Sequence, residues 1–101
     1  METLLTPAVF QMDIARVTEQ IASFIETKRI EFHRDGALVS LSGGVDSSTV
    51  LALTVRAMGP ERVKALLLPE KQGNPEAEKY AHRVASWLDV ETITRDLSRI
   101  L

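Results

Sequence analysis

The residues of this chain whose types and spacing could do chemistry are gathered in one string, Ser42-Gly43-Gly44-Val45-Asp46-Ser47-Ser48. Two adjacent glycines permit positive φ and carry no Cβ atoms, so backbone N–H groups can converge there on an anion. The hydroxyls of Ser42, Ser47 and Ser48 can donate hydrogen bonds to phosphate oxygens. A helix beginning near Ser47 would aim its N-terminal partial charge, roughly +0.5, at the same spot. Asp46 is a poor neighbour for a bare phosphate, because like charges repel. It fits if Mg²⁺ lies between its carboxylate and the phosphates. The chemistry predicted is Mg²⁺-assisted binding of a polyphosphate. The string is not the GxxxxGK[ST] loop, since no lysine follows the glycines, nor the GxGxxG fingerprint, whose third glycine is absent. Its bland alternative is an ordinary Gly-rich turn in which Asp46 or Ser47 caps a helix.

A turn of this kind needs a strand before it and a helix after it. Ala37 to Leu41 reads as a short buried strand, and about Ser47 to Met58 as a mostly apolar helix stopped by Gly59-Pro60. The apolar residues of that helix lie nearly all around it, which predicts burial on more than one side. Arg62 to Leu68, closed by Pro69, is a second strand, and Glu70 to Gly73 a polar loop. Asn74-Pro75 supplies a cap and a first-turn proline for a third helix. That helix carries Ala77, Ala81, Val84, Ala85 and Leu88 on one face. Val90 to Ile93 is a third strand.

Ahead of these lies a long segment, about 8–33, with Ile14, Val17, Ile21, Phe24, Ile25 and Phe32 at mostly helical steps. It is predicted to be an amphipathic helix whose stripe packs as core, with Gly36 in the turn that ends it. The alternation that follows, over about 37–94, predicts an α/β fold. The expectation is a Rossmann-like three-layer α/β/α parallel sheet with helices on both faces. Three strands make only the N-terminal half of the usual sheet. In such sheets ligands bind beyond the carboxyl ends of the strands, where the Ser42 turn falls.

Composition narrows the classes. The chain has 101 residues, room for one domain (residues 1–101) but short for an α/β enzyme, and 45% are hydrophobic, which excludes wholesale disorder. With 12 basic and 14 acidic residues the formal charge is −2, so nothing in the balance favours nucleic acid or a membrane surface. No apolar stretch approaches the roughly 20 residues of a membrane span. The N-terminus lacks a signal-peptide pattern, so a cytoplasmic location is expected. The absence of cysteine removes disulfides, thiolate zinc sites and cysteine nucleophiles from the chain. His33 and His82 stand in no metal-binding spacing and read as surface residues. Trp87 is expected to pack rather than stack on a base, and Glu70-Lys71 to lie in a solvated loop on the ligand side of the sheet.

Ser42-Gly43-Gly44-Val45-Asp46-Ser47 resembles the SGGxDS signature of the PP-loop ATP pyrophosphatases. The flanking residues resemble the ammonia-dependent NAD⁺ synthetases among them. These are Met58 to Val63 running into Leu66 to Lys71, then Asn74-Pro75-Glu76, Ala81 to Leu88 and Thr94-Arg95-Asp96-Leu97. The resemblance implies ATP-dependent adenylation of deamido-NAD⁺, displacement of AMP by ammonia, and release of NAD⁺, AMP and pyrophosphate. It implies that Ser40, Leu41, Ser42, Gly43, Gly44, Val45, Asp46 and Ser47 bind ATP phosphates, with Ser48 beside them. Asp46 would ligate Mg²⁺, and the backbone at Leu68 would accept adenine. It also implies a homodimer, to which the first helix would contribute. Family members are more than twice as long and carry the rest of the site in their second half. The chain is therefore expected to be the N-terminal, ATP-binding portion of a synthetase, without catalytic residues of its own and inactive alone. Two rival readings are another PP-loop enzyme, such as a GMP synthetase, and a non-catalytic nucleotide-binding module.

Overall fold

The computed structural model describes residues 7–69 and 74–95. In chain order these form helix α1 (Pro7–Glu31), strand β1 (Ala37–Ser40), helix α2 (Val45–Met58), a 3₁₀ turn (Pro60–Arg62), strand β2 (Val63–Leu67), helix α3 (Pro75–Trp87) and strand β3 (Glu91–Thr94). The Glu70–Gly73 loop, and Asp96-Leu97 at the end of the family-like stretch, lie outside the described residues.

Local chemistry accounts for most boundaries. Asn74 caps α3 by accepting the Glu76 N–H through Oδ1 at 2.9 Å, and Pro75 occupies the first position, where its missing N–H costs nothing. Both α1 and α3 end in Schellman geometry. His33 at φ 56° follows α1, with the Arg34 N–H reaching Arg29 O at 2.9 Å; Asp89 at φ 59° follows α3, with the Val90 N–H reaching Ala85 O at 2.9 Å. Gly36 lies in the connection after α1, as expected, while the left-handed residue there is His33. The requirement at Gly36 is spatial, since a Cβ there would lie 2.1 Å from the Arg62 carbonyl oxygen at the start of β2.

The three strands are parallel, in the order β1-β2-β3, with Ala37 opposite Val63 and Lys64 opposite Glu91. This bears out the expected parallel α/β sheet. Both crossovers step across the sheet in the same direction, so right-handed connections place α2 and α3 on one face. That face holds the core: Val39, Leu41, Val63, Ala65 and Leu67 pack with Leu51 and Met58 of α2, Ala81 and Ala85 of α3, and Val90. The expectation of helices on both faces is met on one face only among the described residues. On the other, Leu38 is 57% exposed and Lys64 pairs with Glu91 across the strands.

Helix α1 packs on α2 rather than on the sheet. Its contact is made by small and flanking residues: Ala22 is buried and Ile25 half-buried against the core, while Ile14, Val17, Ile21, Phe24 and Phe32 remain exposed. The predicted core stripe is thus an outer surface, with the Lys28 ammonium over the Phe24 and Phe32 rings at 5.6 and 5.9 Å. Helix α2 does lie between α1 and the sheet, burying Leu51, Thr54 and Met58. Its Val45 and Val50 nevertheless stay exposed, as does Trp87, at 81%, which does not pack as expected. His33 and His82 are at the surface, as predicted.

Candidate functional site

The site is built where β1 gives way to α2. Beyond Ser40 the strand pairing continues for one more residue, with the Leu41 N–H donating to Leu66 O at 2.9 Å. Leu41 is buried, which anchors the start of the turn in the core. Helix α2 then begins at Val45, two residues earlier than the composition suggests, so its N-cap is Gly44 and not Asp46 or Ser47. Asp46 and Ser47 consequently sit inside the first turn. Gly44 makes no side-chain cap, and the N–H groups of Val45, Asp46 and Ser47 have no protein acceptor among the described residues. Three such amides at the positive end of a 14-residue helix are donors of the kind that can hold an anion.

The turn is held in shape by its own hydroxyls. Ser47 Oγ accepts the Ser42 N–H at 3.1 Å, lies 2.9 Å from Ser42 Oγ and 3.4 Å from Gly44 O. Ser42 Oγ in turn accepts the Gly44 N–H at 3.3 Å. Ser48 Oγ donates to Gly44 O at 2.8 Å. A hydroxyl has a single proton, so Ser48 has spent its donor inside the helix and is not free to give it to a phosphate in this arrangement. The three hydroxyls that look equivalent in the sequence are not equivalent in space.

Gly43 fixes the turn against the rest of the fold. Its φ is +90°, and a Cβ would lie 2.3 Å from the Ala77 carbonyl oxygen in the first turn of α3. The loop after β1 and the start of α3 are therefore in backbone contact. This contact closes one side of a cavity of about 480 Å³ lined by Leu41, Ser42, Leu68, Asn74, Ala77 and Glu78, among others, beyond the ends of β1 and β2. Leu68 lines this cavity together with Ser42 of the turn. Gly43, Gly44, Val45 and Ser48 line a second, more apolar groove with Tyr80 and Val84, on the outer side of α2 and α3. Ser40 stands apart: opposite Leu66 in the register, it is exposed on the uncovered face with Leu38. Asn74, Ala77 and Glu78 join the cavity lining although the sequence motif does not include them. The Asn74-Pro75 helix start was the available signal, because it predicts a helix N-terminus on the ligand side of the sheet.

Electrostatically the turn carries one carboxylate, Asp46, which is exposed and has no ion-pair partner among the described residues. No group of three or more acidic, His or Cys side chains suited to a metal occurs among the described residues. That donor set fits Mg²⁺ held jointly with phosphate oxygens, which needs only one or two protein carboxylates. It does not fit a metal held by protein alone. Arg56, at the edge of the outer groove, is ion-paired with Glu19 of α1. No helix among the described residues is long and apolar enough to cross a membrane.

Comparison with known proteins places this geometry. The sequence model of the NAD synthase family matches residues 17–101. Among curated relatives, the NH₃-dependent NAD⁺ synthetase of Thermotoga neapolitana is 41% identical over 87% of this chain and 30% of its own length. That of Methanocaldococcus jannaschii is 39% identical over 84% of this chain and 33% of its own length. Among solved structures, the NH₃-dependent NAD synthetase of Campylobacter jejuni, in complex with nitrate, aligns with a TM-score of 0.79 at 31% identity, covering 85% of this chain and 37% of that one. The glutamine-dependent NAD⁺ synthetase of Acinetobacter baumannii, in complex with ADP, aligns with a TM-score of 0.82 at 26% identity, covering 85% of this chain and 16% of that one. The chain spans about a third of the length of the curated relatives it matches. With the family's sequence pattern running from α1 through the Ser42 turn to the last residue, and its fold reproduced around that turn, the chain belongs to the NAD synthase family.

Proposed function

We propose that this chain carries the ATP-phosphate end of an NAD⁺ synthetase site. The observation that carries the reading is the Ser42–Ser48 turn at the carboxyl end of β1, opening onto three unpaired amides of α2, in a member of the NAD synthase family. The ADP complex of the Acinetobacter neighbour supports a nucleotide as the ligand. The relatives' NH₃-dependent activity supports free ammonia as the nitrogen source.

In the reaction proposed, a carboxylate oxygen of deamido-NAD⁺ attacks the α-phosphorus of ATP, and pyrophosphate leaves. Ammonia then attacks the acyl carbon of the adenylate, and AMP leaves with the carboxyl oxygen, giving NAD⁺. This chain's part is to bind the departing pyrophosphate. The amides of Val45, Asp46 and Ser47 and a serine hydroxyl of the turn stabilise its charge without reorganising. The Asp46 carboxylate would hold Mg²⁺, which when bound neutralises phosphate charge. The cavity reaching Leu68 would take the adenine against backbone. The 101 residues span about a third of the relatives' length, and the acceptor end is assigned to the part of the family sequence outside that span, so these residues assayed by themselves are expected to bind Mg-ATP weakly and to make no NAD⁺. The exposed stripe of α1, Ile14, Val17, Ile21 and Phe24, supports a homodimer, and a cytoplasmic location completes the reading.

Titration calorimetry with Mg-ATP tests the proposal. Binding that is lost without Mg²⁺ and weakened about tenfold or more by Asp46→Asn is expected, from one charge-assisted contact. Mg²⁺-independent binding, or none with well-folded protein, would defeat it. Formation of NAD⁺ from deamido-NAD⁺, ammonia and Mg-ATP by the chain alone would defeat the assignment of the acceptor end elsewhere.

A further inference from the structure

The cavity beyond the ends of β1 and β2 has two sides of unlike chemistry. Leu41 and Leu68 line it from the strand ends, and Asn74, Ala77, Glu78 and Ala81 line it from α3 and its cap. Positions 74, 77, 78 and 81 are separated by steps of three and four, so they share one helical face. Side chains on a helix lean toward its N-terminus, which here is the end beside the cavity. Ser42, Asn74 and Glu78 are the described lining residues with polar side chains. Ser42 belongs to the turn, and Asn74 spends its Oδ1 on the Glu76 N–H at 2.9 Å. Glu78 alone of the three carries a charge. Its Oε1 lies 3.9 Å from His82 Nε2, beyond hydrogen-bond reach.

The neighbours of Glu78 fix its place along a bound nucleotide. Gly43 of the turn lies against the Ala77 carbonyl, where a Cβ would come within 2.3 Å of the oxygen. Glu78 is the next residue after that contact, and Leu68 lines the same cavity from the end of β2. It therefore stands between the turn assigned to phosphate and the backbone assigned to adenine, and the group that joins phosphate to base is the ribose. An ionised carboxylate only accepts hydrogen bonds and repels phosphate charge. The ribose diol answers it with two O–H donors and no charge, the pairing by which a carboxylate selects ribose in dinucleotide sites. We propose that Glu78 is a specificity-determining residue that accepts the ribose hydroxyls and so selects a ribonucleotide over its deoxy counterpart. The assignment rests on the nucleotide reading above and adds the sugar to it. A carboxylate in the first turns of α3 also suits the helix dipole; that role moves stability and not the choice of ligand.

The test uses the 101-residue chain. Mg²⁺ complexes of ATP, 2′,3′-dideoxy-ATP, ITP and inorganic pyrophosphate are titrated into wild type and Glu78→Ala, with affinities read from amide NMR shifts. Wild type is expected to prefer ATP to the dideoxy nucleotide about tenfold, as one charge-assisted contact supplies. Glu78→Ala should erase that preference by weakening ATP alone, leaving dideoxy-ATP and pyrophosphate bound as well as before or better, because a repelling charge is gone. Equal weakening of ATP and dideoxy-ATP, or a preference that survives Glu78→Ala, would overturn the proposal. So would a Glu78→Ala loss that is seen with ATP and absent with ITP, since the carboxylate would then read the amino group of adenine. A wild type that binds ATP and dideoxy-ATP equally would refute the Glu78 assignment and leave the nucleotide reading standing. One that binds none of the four ligands would refute the nucleotide reading, and the assignment with it.

Discussion

The two glycines of the turn look interchangeable in the sequence, and their surroundings predict opposite fates for the same substitution. At Gly43 the backbone has φ +90°, and an added Cβ would meet Ala77 O at 2.3 Å, its carbonyl carbon at 2.9 Å and its Cα at 3.0 Å. All three are main-chain atoms of α3, so no side-chain rotation relieves the contact. The left-handed conformation costs a residue with a Cβ about 1–2 kcal/mol. Forcing a carbon into a packed contact costs about 1–3 kcal/mol more. Gly43→Ala is therefore expected to lose about 2–5 kcal/mol, a large share of the roughly 5–15 kcal/mol that holds a domain together. At Gly44 the backbone is extended, φ −89° and ψ 172°, and the nearest atom to a new Cβ is Ser42 Oγ at 3.4 Å. Alanine there gains about 0.4–1 kcal/mol by restricting the unfolded chain and gives back a similar amount as a poorer N-cap. Gly44→Ala is expected to fall within about 1 kcal/mol of wild type. Urea unfolding followed by circular dichroism separates the two, with a midpoint lowered by about 1 M or more for Gly43→Ala, given slopes of about 1–3 kcal/mol per M. Gly43→Asn divides the causes, since asparagine tolerates positive φ but brings the same Cβ. If the clash with Ala77 dominates, it behaves like alanine. A Gly43→Ala protein as stable as wild type, or equal losses at both positions, would refute the argument.

Other perturbations follow from the same structure. Gly36→Ala places a Cβ 2.1 Å from Arg62 O, so thermal unfolding should show a loss of about 1–3 kcal/mol although φ there is ordinary. Leu51 is fully buried between α2 and the sheet, and Leu51→Ala should cost about 2–5 kcal/mol in the same measurement. The Glu26 carboxyl is held below its ordinary pKa, first by its hydrogen bond to Arg29 and further by the charges of Arg29 and Arg62. A depressed folded pKa adds stability above the ordinary carboxylate pKa and loses it as pH falls through the depressed one. Glu26→Gln should therefore be less stable than wild type at neutral pH, with the gap closing on acidification; a gap that widens in acid would contradict this. Leu38, exposed on the uncovered sheet face, should promote association, and Leu38→Lys should lower the concentration dependence of the sedimentation coefficient.

Much of the fold was legible because its signals are local. Asn74-Pro75 specifies a helix start by its own hydrogen bonding, and the alternation of apolar runs with helical stretches specifies parallel crossovers. Helix α2 starts two residues before the position that Asp46 and Ser47, as strong cap formers, predict, because the turn uses Gly44 as cap and keeps both residues inside the helix. The apolar stripe of α1 was legible as a stripe, but not its partner. Periodicity reports that Ile14, Val17, Ile21 and Phe24 share a side; it does not report that Ala22 and Ile25, on another side, make the contact with the rest of the fold. The cavity residues Ala77 and Glu78 were hidden for a related reason: they reach the turn only through the packing of α3 beside it.

By itself, the sequence determined the family, the parallel α/β order and the turn on which an anion would be held. Those are properties of consecutive residues, where glycine content, cap chemistry and hydrophobic period act over a few positions. The tertiary structure alone decided which of two glycines lies against another element and which sheet face the helices cover. Each of these depends on atoms far away in the chain. Ala77 stands 34 positions from Gly43 and touches it, and no local pattern encodes that approach.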